Sequence, residues 1–473
     1  MNKLKFLIPV LTMLFVFATC DEADDPTVFE PQSIVELVTG VPNLESLEAA
    51  LIRADLVGAL EGAGPFTVLA PSNEAFDNFL ATSGFPTLNS VPVDVLRQVL
   101  LNHVISGNLQ STDLSTGFAT TLATSAANGS PMSIYIDTSD GVTFNGISSV
   151  QNRDIQATNG TIHEVDAVIG LPTVVDLAIA AESTTSTLVA AVSAANLVGT
   201  LSGDGPFTVL APTNDAFAQF LDNNNFTGLG DIPSGVLTET LLNHVIGGAL
   251  ESGDLSTGYA STSATSAASD TEMSIYINTS NGVRFNGVSS VAAANIVANN
   301  GVIHVVDAVI ELPTVVTFAV ADPNFSTLVS ALTTETPATP FASILSRTMT
   351  GNADNIDPDF TVFAPTNAAF TALLDSNMMW NSLADVGEPL LTNVLLHHVI
   401  AGANVRSSGL TPDGNTIAAT LEGDDITISL PGSNTNIADV TDGAGNAGKG
   451  IIAVDVQANN GVIHVLNSVL IPN

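Results

Sequence analysis

The 473-residue chain contains a single cysteine, Cys20. A disulfide needs two cysteines, so no such bond can form within the chain. Hydrophobic residues make up 45% of the sequence. That share is ordinary for globular proteins and allows sizeable cores, so a disordered chain is excluded.

Basic residues are also scarce. The chain has 9 Lys and Arg against 47 Asp and Glu, a formal net charge of −38. Binding to nucleic acid needs clustered Lys and Arg, so nucleic acid is excluded as a partner. An acidic surface stays soluble and attracts cations or basic surfaces. Salt tolerance and mutual repulsion explain it more simply than a specific cation site.

Familiar catalytic motifs are missing as well. The chain has no GxSxG nucleophile elbow, no GxxxxGK[ST] phosphate loop and no GxGxxG after a strand. These absences remove support for a serine hydrolase and for nucleotide binding. The sequence therefore predicts no catalytic residue, no metal and no cofactor.

The N-terminus, MNKLKFLIPVLTMLFVFATC, has a basic start followed by an apolar run over residues 6–17. This pattern is typical of a secretory signal and is too short for a confident membrane span. Cys20 follows small residues, as in a bacterial lipobox, although Phe17 stands where Leu is usual. The alternative is an ordinary signal peptide with an incidental cysteine.

We therefore expect a signal peptide over residues 1–19 and a tether over residues 20–32 that begins at a lipidated Cys20. The acidic stretch DEADD directly after the cysteine resembles the surface-export signal of some Gram-negative lipoproteins. The expected location is the bacterial outer membrane, on the cell surface, with membrane contact only through the lipid.

Long sequence motifs occur three times along the chain. FTVLAPSNEAF at Phe66 returns at Phe207 and Phe360, and LLNHVISG at Leu100 returns at Leu241 and Leu395. The first two copies are 141 residues apart, as from Pro71 to Pro212. A unit of this size is a domain, not a solenoid repeat.

The predicted domains are residues 33–172, 173–313 and 314–473, and the third carries extra loop residues at 333–359. No Gly/Ser linker joins them, so neighbouring domains are expected to touch.

Within one copy, helical patterns come first and strands follow. Apolar spacing predicts helices in residues 45–60, 73–80 and 95–105, the second opened by an N-cap at Ser72. FTVLAP predicts a short strand. MSIYIDTSDGVTFNGISSV predicts strand, turn and strand, with the hairpin dipeptide at Asn145-Gly146, and TIHEVDAVI predicts a closing strand. The fold class is α+β.

The phrases FTVLAPSNEAF, NHVI and NGTIHEVDAVI, in this order and three times over, resemble the fasciclin domain family. The resemblance covers residues 33–473. It implies a wedge of β-strands with helices packed against it, and a role in adhesion or matrix binding. The implied partners are extracellular proteins or polysaccharides, including a second copy of the chain.

The resemblance also marks candidate binding residues. In animal matrix members a short Asp-Ile motif just before the last strand is linked to integrin binding. The matching residues are Asp154 and Ile155 in the first copy, and Asp455 and Val456 in the third. The second copy has Asn295-Ile296. The family favours Tyr before the central His, where this chain has Asn102, Asn243 and His397; these departures argue against an integrin ligand.

Each copy places one histidine in the central motif and one in the closing strand. Two readings are open: a metal or catalytic site, or a structural role in which a buried neutral imidazole donates one hydrogen bond and accepts another. His163 and Asp166 are three apart on a strand, so they point to opposite faces and cannot chelate one ion together. Two imidazoles alone are too few ligands for structural zinc. The favoured reading is structural, for the six motif histidines: His103, His163, His244, His304, His398 and His464.

Three functions are compatible with these features. The first is a non-enzymatic, lipid-anchored adhesion protein. The second is a metal-dependent hydrolase built around the histidine pairs. The third is a passive acidic spacer.

Replacing the cysteine tests the anchor. Cys20→Ser removes the only thiol that can be lipidated, so the variant is expected in the medium or soluble extract while the wild type stays with the membrane. Fractionation and external protease treatment of intact cells measure this. Membrane retention of the variant, equal to that of the wild type, would exclude a lipid anchor at Cys20.

Overall fold

The computed structural model describes residues 31–473. The expected signal peptide and Cys20 lie outside these residues. Within them, no single helix has the length and apolar content to cross a membrane. One bent pair, Val315–Ala321 with Pro323–Thr333, meets those two criteria jointly across a 96° bend.

The first domain places three short helices before its first strand and two before its second, and strands fill the rest. Ser33 caps the first helix by accepting a hydrogen bond from the Glu36 N–H. The helices are α1 Ile34–Thr39, α2 Glu45–Arg53, α3 Val57–Leu60, α4 Asn73–Thr82 and α5 Val93–Asn102; the strands are β1 Phe66–Pro71, β2 Val104–Ser106, β3 Gly117–Thr124, β4 Pro131–Asp137, β5 Thr143–Phe144, β6 Ser148–Ala157 and β7 Gly160–Val165.

The second domain repeats this order element by element. Thr173 caps its first helix as Ser33 does in the first domain. The helices are α6 Val174–Ala180, α7 Glu182–Ala194, α8 Val198–Leu201, α9 Asn214–Asn223 and α10 Ser234–Leu242; the strands are β8 Phe207–Pro212, β9 Val245–Gly247, β10 Gly258–Thr265, β11 Glu272–Asn278, β12 Arg284–Phe285, β13 Ser289–Ala298 and β14 Gly301–Val306.

The third domain keeps the order but lengthens the approach to its first strand. The extra residues predicted as loop contain one helix, Phe341–Leu345. The helices are α11 Val315–Ala321, α12 Ser326–Thr333, α13 Phe341–Leu345, α14 Asn367–Asp375 and α15 Glu388–Leu396; the strands are β15 Phe360–Pro365, β16 Val399–Ala401, β17 Asn415–Ala419, β18 Asp425–Ser429, β19 Ala438–Thr441, β20 Lys449–Ala458 and β21 Gly461–Leu466.

The seven strands of each of the first two domains pair in sequence order, and in all three domains the first strand also pairs in parallel with the last. In the first domain this register runs from Phe66 opposite Gly160 to Pro71 opposite Val165. The first two domains form closed barrels in this way. In the third domain β16 and β17 are not paired, so its seven strands form an open sheet.

Side chains along β1 point alternately to the two faces of the sheet, so the first domain has a separate core on each face. Val68 and Ala70 face the helices and pack among residues such as Phe76 and Leu96. Leu69, between them, faces the barrel interior. Successive side chains of a strand point to opposite faces, so one apolar strand serves both cores.

The strand predicted at FTVLAP, the strands on either side of the Asn145-Gly146 turn and the helix opened by Ser72 are confirmed. The closing strand predicted over TIHEVDAVI is shorter and ends at Val165. Ser72 accepts a hydrogen bond from the Ala75 N–H at 3.2 Å. Asn145 and Gly146 have φ of 49° and 67°, as the tight hairpin requires.

Two helix predictions need correction. The helix predicted over residues 95–105 ends at Asn102, because Val104 joins β2 and pairs with β1. The helix predicted over residues 45–60 is two helices, because Asp55 adopts a left-handed conformation with φ of 55°.

Neighbouring domains touch, as expected from the missing linkers, and both joints use the same contacts. A hairpin serine of one domain donates to the turn that precedes the last strand of the next: Ser125 Oγ to the Ala298 carbonyl at 2.6 Å, and Ser266 Oγ to the Ala458 carbonyl at 2.7 Å. Apolar residues support the first joint, where Met132 packs with Val297.

The parallel pairing leaves no room for a side chain at Gly160. A Cβ added there would lie 1.9 Å from the Phe66 carbonyl oxygen. Gly160→Ala is therefore expected to separate β1 from β7 and to lower the unfolding free energy by about 3 kcal/mol or more. Urea unfolding followed by circular dichroism measures the loss.

The matched control is Gly170→Ala, because nothing lies within 4 Å of a Cβ built at Gly170. This change is expected to alter stability by about 0.5 kcal/mol or less. Equal effects of the two substitutions would contradict the proposed packing limit at Gly160.

Candidate functional site

The central-motif histidine joins a helix end to the end of its domain. His103 is buried; its Nδ1 donates to the Val99 carbonyl at 2.7 Å and its Nε2 accepts from the Ile169 N–H at 2.9 Å. His244 and His398 have the same two kinds of partner at the same distances. Both ring nitrogens of each imidazole are therefore used by the backbone.

The closing-strand histidine fastens the loop after the second strand. His163 Nε2 donates to the Leu109 carbonyl at 3.0 Å, and its Nδ1 accepts from the Asp154 N–H at 3.3 Å. His304 has the equivalent bonds. His464 keeps the Nε2 bond, to the Val405 carbonyl at 2.8 Å, while its buried Nδ1 has no partner among residues 31–473.

Burial sets the charge state of the central-motif histidines. It lowers the pKa of His103, His244 and His398 to about 4, because the charged imidazole would be removed from water. All three are neutral at pH 7, which suits a ring that both donates and accepts.

The candidate binding residues Asp154 and Asp455 are expected in exposed loops, and the structure contradicts this, because both lie within strands. Each sits at a bulge within a strand, β6 or β20, with φ of 63° and 60° respectively. The Asp154 carboxylate accepts the N–H and hydroxyl of Ser111, both at 2.6 Å, and these bonds lower the pKa of Asp154. Asp455 accepts the corresponding groups of Ser407.

Their apolar neighbours face inward. Val456 is 5% exposed and belongs to the core of the third domain, which contradicts a direct binding role for its side chain. Ile155 is half-buried and packs against the core of the first domain. A partner at this site would meet the carboxylates and the bulged backbone.

The described residues provide few grouped ligands for a metal ion. Asp166 accepts from the Ser149 N–H at 2.7 Å and from Gln151 Nε2 at 2.9 Å, away from His163. Across residues 31–473, no three His, Cys, Asp or Glu side chains are grouped so as to hold a metal.

His397 has a role that pattern reading did not assign. At its position the other domains carry Asn102 and Asn243, and the Asn102 amide donates to the Gly170 carbonyl at 2.9 Å. The buried His397 ring instead accepts from the Gly443 N–H at 3.0 Å and lies 3.2 Å from Thr420 Oγ1. It thus bridges the edge where β16 and β17 are unpaired. The aligned Asn-to-His change was the available signal.

Three stretches of the chain, residues 42–172, 183–313 and 323–472, match the profile described as the fasciclin domain. The chain belongs to the fasciclin family. The predicted tandem of three fasciclin domains and the α+β class are confirmed.

Several curated proteins are similar to this fasciclin chain. Transforming growth factor-beta-induced protein ig-h3 of Sus scrofa is 30% identical over 454 residues, 93% of this chain and 57% of that protein. Periostin of Homo sapiens is 25% identical over 459 residues, 93% of this chain and 47% of that protein. The chain thus spans about half the length of these relatives.

A bacterial relative and a solved structure also match. Protein sll1483 of Synechocystis is 38% identical over 137 residues, 29% of this chain and 72% of that protein. The FAS1 domain pair from the insect cell adhesion molecule Fasciclin I is 18% identical, with a TM-score of 0.38, and covers 57% of this chain and 96% of that structure.

The lowered pKa values predict acid sensitivity. Below pH 6.5 the unfolded chain binds protons at these histidines while the folded chain does not, so stability is lost as pH falls towards 4. At about pH 5, each histidine with a folded pKa near 4 lowers stability by about 2 kcal/mol. His103→Gln is expected to reduce the loss between about pH 7.5 and pH 5 by this amount, although it also lowers stability at pH 7.5.

Calorimetric unfolding at the two pH values measures the effect. Ser83→Ala, an exposed neutral change, serves as the control and is expected to follow the wild-type pH dependence. An unchanged pH dependence in His103→Gln would show that His103 is not the group whose protonation is suppressed by folding.

Proposed function

We propose that the protein is a non-enzymatic adhesion protein of the bacterial cell surface, anchored by a lipid on Cys20. Its three fasciclin domains bind extracellular proteins or polysaccharides. The observation that carries this proposal is that three similar domains are joined by the same direct contacts, so each can present the same faces to a partner. Repetition raises avidity even when each single contact is weak.

The state of the histidines supports binding over catalysis. In all three copies the motif imidazoles contact backbone groups within their own domain, and the central ones are neutral and buried. A general base needs a free nitrogen within reach of substrate. This arrangement disfavours the hydrolase alternative that the histidine pairs suggested.

The bulges at Asp154 and Asp455 are the candidate contact points. Both carboxylates remain partly accessible beside a backbone turned out of the strand ladder. With a net charge of −38, the surface favours a neutral or basic partner over an anionic one. A passive spacer would not depend on these groups.

Adhesion of cells that display the protein tests the proposal. Cells making the wild type are expected to bind surfaces coated with matrix proteins or polysaccharide from the producing culture. Cells making Cys20→Ser are expected to lose most of this binding. Equal adhesion by cells that lack the gene would refute the adhesion role.

The double change Asp154→Asn with Asp455→Asn tests the bulges without unfolding them. The second domain already carries Asn295 there, which accepts the Ser252 N–H at 2.8 Å. If the carboxylates contact the partner, binding is expected to weaken about tenfold, since a hydrogen bond to a charged group is lost. The exposed change Asp375→Asn is the control, and unchanged binding of the double variant would remove the bulges from the binding site.

A further inference from the structure

The two joints share their hairpin contacts but differ beside them. At the second joint the Tyr259 hydroxyl donates to Asp322 at 3.1 Å, which ties the second domain to the third. The corresponding residues at the first joint, 141 positions earlier, are Phe118 and Ala181. Neither side chain can make that bond, and at this place the first joint has only a long contact of 3.4 Å between the Tyr135 hydroxyl and Ser183 Oγ.

The two joints also differ in how closely the neighbouring hairpin turn packs against the next domain. At the second joint a Cβ on Gly287 would lie 3.4 Å from the Ala321 Cα, so the turn packs against the next domain. At the first joint a Cβ on Gly146 would meet nothing within 4 Å. The first joint is therefore open where the second is closed.

The open first joint contains a cleft of about 630 Å³ whose walls come from both domains. Its volume lies within the range of small-ligand sites, which often form between domains. The first domain contributes Asp137, Asn145 and Ile147, and the second contributes Ile179, Glu182 and Ser183.

One donor in the cleft has no protein partner. Asn145 is 7% exposed; its Oδ1 accepts the Tyr135 N–H at 2.7 Å, and its Nδ2 donates to no group among residues 31–473. In the closed second joint the matching Nδ2 of Asn286 is sealed from solvent without a partner. In the open joint the same donor lines the cleft and can reach a ligand.

The other walls provide acceptors and apolar contact. Asp137 accepts from the Ser139 N–H at 2.9 Å, and bonds from Ser139 lower the pKa of Asp137, so its carboxylate is charged at neutral pH. Glu182 is exposed on the opposite wall. Ile147 and Ile179 are 59% and 51% exposed, although both are large and apolar.

We propose that this cleft binds a short segment of a neutral polysaccharide. Sugar hydroxyls both donate and accept, so they match the carboxylates and the free Asn145 amide together. The C–H faces of sugar rings match the exposed isoleucines. The carboxylates repel anionic chains, and a purely apolar ligand would leave the polar groups unpaired. The proposal rests on the adhesion function and assigns its polysaccharide contact to one site.

Calorimetric titration of the purified chain from residue 21 onward tests the site. The probes are neutral hexasaccharides of glucose, galactose, mannose or xylose, with a hexasaccharide of galacturonic acid as the anionic comparison. At least one neutral probe is expected to bind, and the anionic probe at least about tenfold more weakly. Failure of every neutral probe to bind, or tighter binding of the anionic one, would overturn the proposal.

Paired variants locate the binding. Ile179→Trp fills the cleft and is expected to weaken binding at least about tenfold, and Glu182→Ala about tenfold through the lost acceptor. Val320→Trp makes the same change at the corresponding exposed position of the closed joint and is expected to leave affinity within about twofold. All three positions are exposed, so the variants are expected to fold, which circular dichroism checks.

The results with these variants distinguish a failure of the cleft proposal from a failure of the adhesion proposal. Equal binding by the wild type and Ile179→Trp would place the sugar elsewhere and overturn the cleft proposal while the adhesion function stands. Loss of sugar binding in Ile179→Trp with undiminished adhesion to matrix protein would support the cleft and assign protein contacts to another surface.

Discussion

The parallel pairing between the first and last strands is the constraint on which each domain depends. It brings the two ends of about 100 residues together, and an Asn-Gly pair makes the approach possible. Gly160 lets the backbones touch, while the buried Asn159 accepts the Ile34 N–H at 3.0 Å and donates to the carbonyls of Leu60 and Gly62. One dipeptide thus links the closing strand, the first helix and the loop before β1.

The histidines extend the same principle from the turn to the rest of the closing strand. A loop that leaves a barrel must satisfy its backbone groups, and a neutral imidazole does this in two directions at once. His163 holds the loop at Leu109, and His103 holds the chain where it leaves β7 at Ile169. Backbone hydrogen bonding therefore explains why the histidines recur in all three domains, without a metal or catalytic site in each. The same neutrality makes the fold sensitive to acid.

Much of the fold could be predicted from the sequence, because the strands, the Asn145-Gly146 turn and the helix caps are encoded by local sequence patterns. What could not be predicted depends on tertiary pairing. The helix ends at Asn102 because β2 pairs with β1, and the Asp154 carboxylate is held at its bulge because Ser111, from another loop, donates two hydrogen bonds to it. The cleft depends on whether Tyr and Asp, or Phe and Ala, occupy two positions more than 60 residues apart.

The third domain shows how small changes redirect a repeated design. Its Thr420 corresponds to Thr121 of the first domain, since both hydroxyls contact the residue before the central histidine and donate to a carbonyl across their own hairpin. Thr121 donates 11 residues ahead, to Met132, whereas Thr420 donates only four residues ahead, to Asp424. The third hairpin is therefore shorter and lacks the segment that carries Ser125 and Ser266, the serines that donate to the next domain. The turn between Thr420 and Asp424 adds Glu422, 3.5 Å from the His397 ring. A surface that serves domain joining in the first two copies is thus converted into an acidic, internally bonded edge, and a partner that met it would meet carboxylates in place of the hydroxyl donors found at the joints.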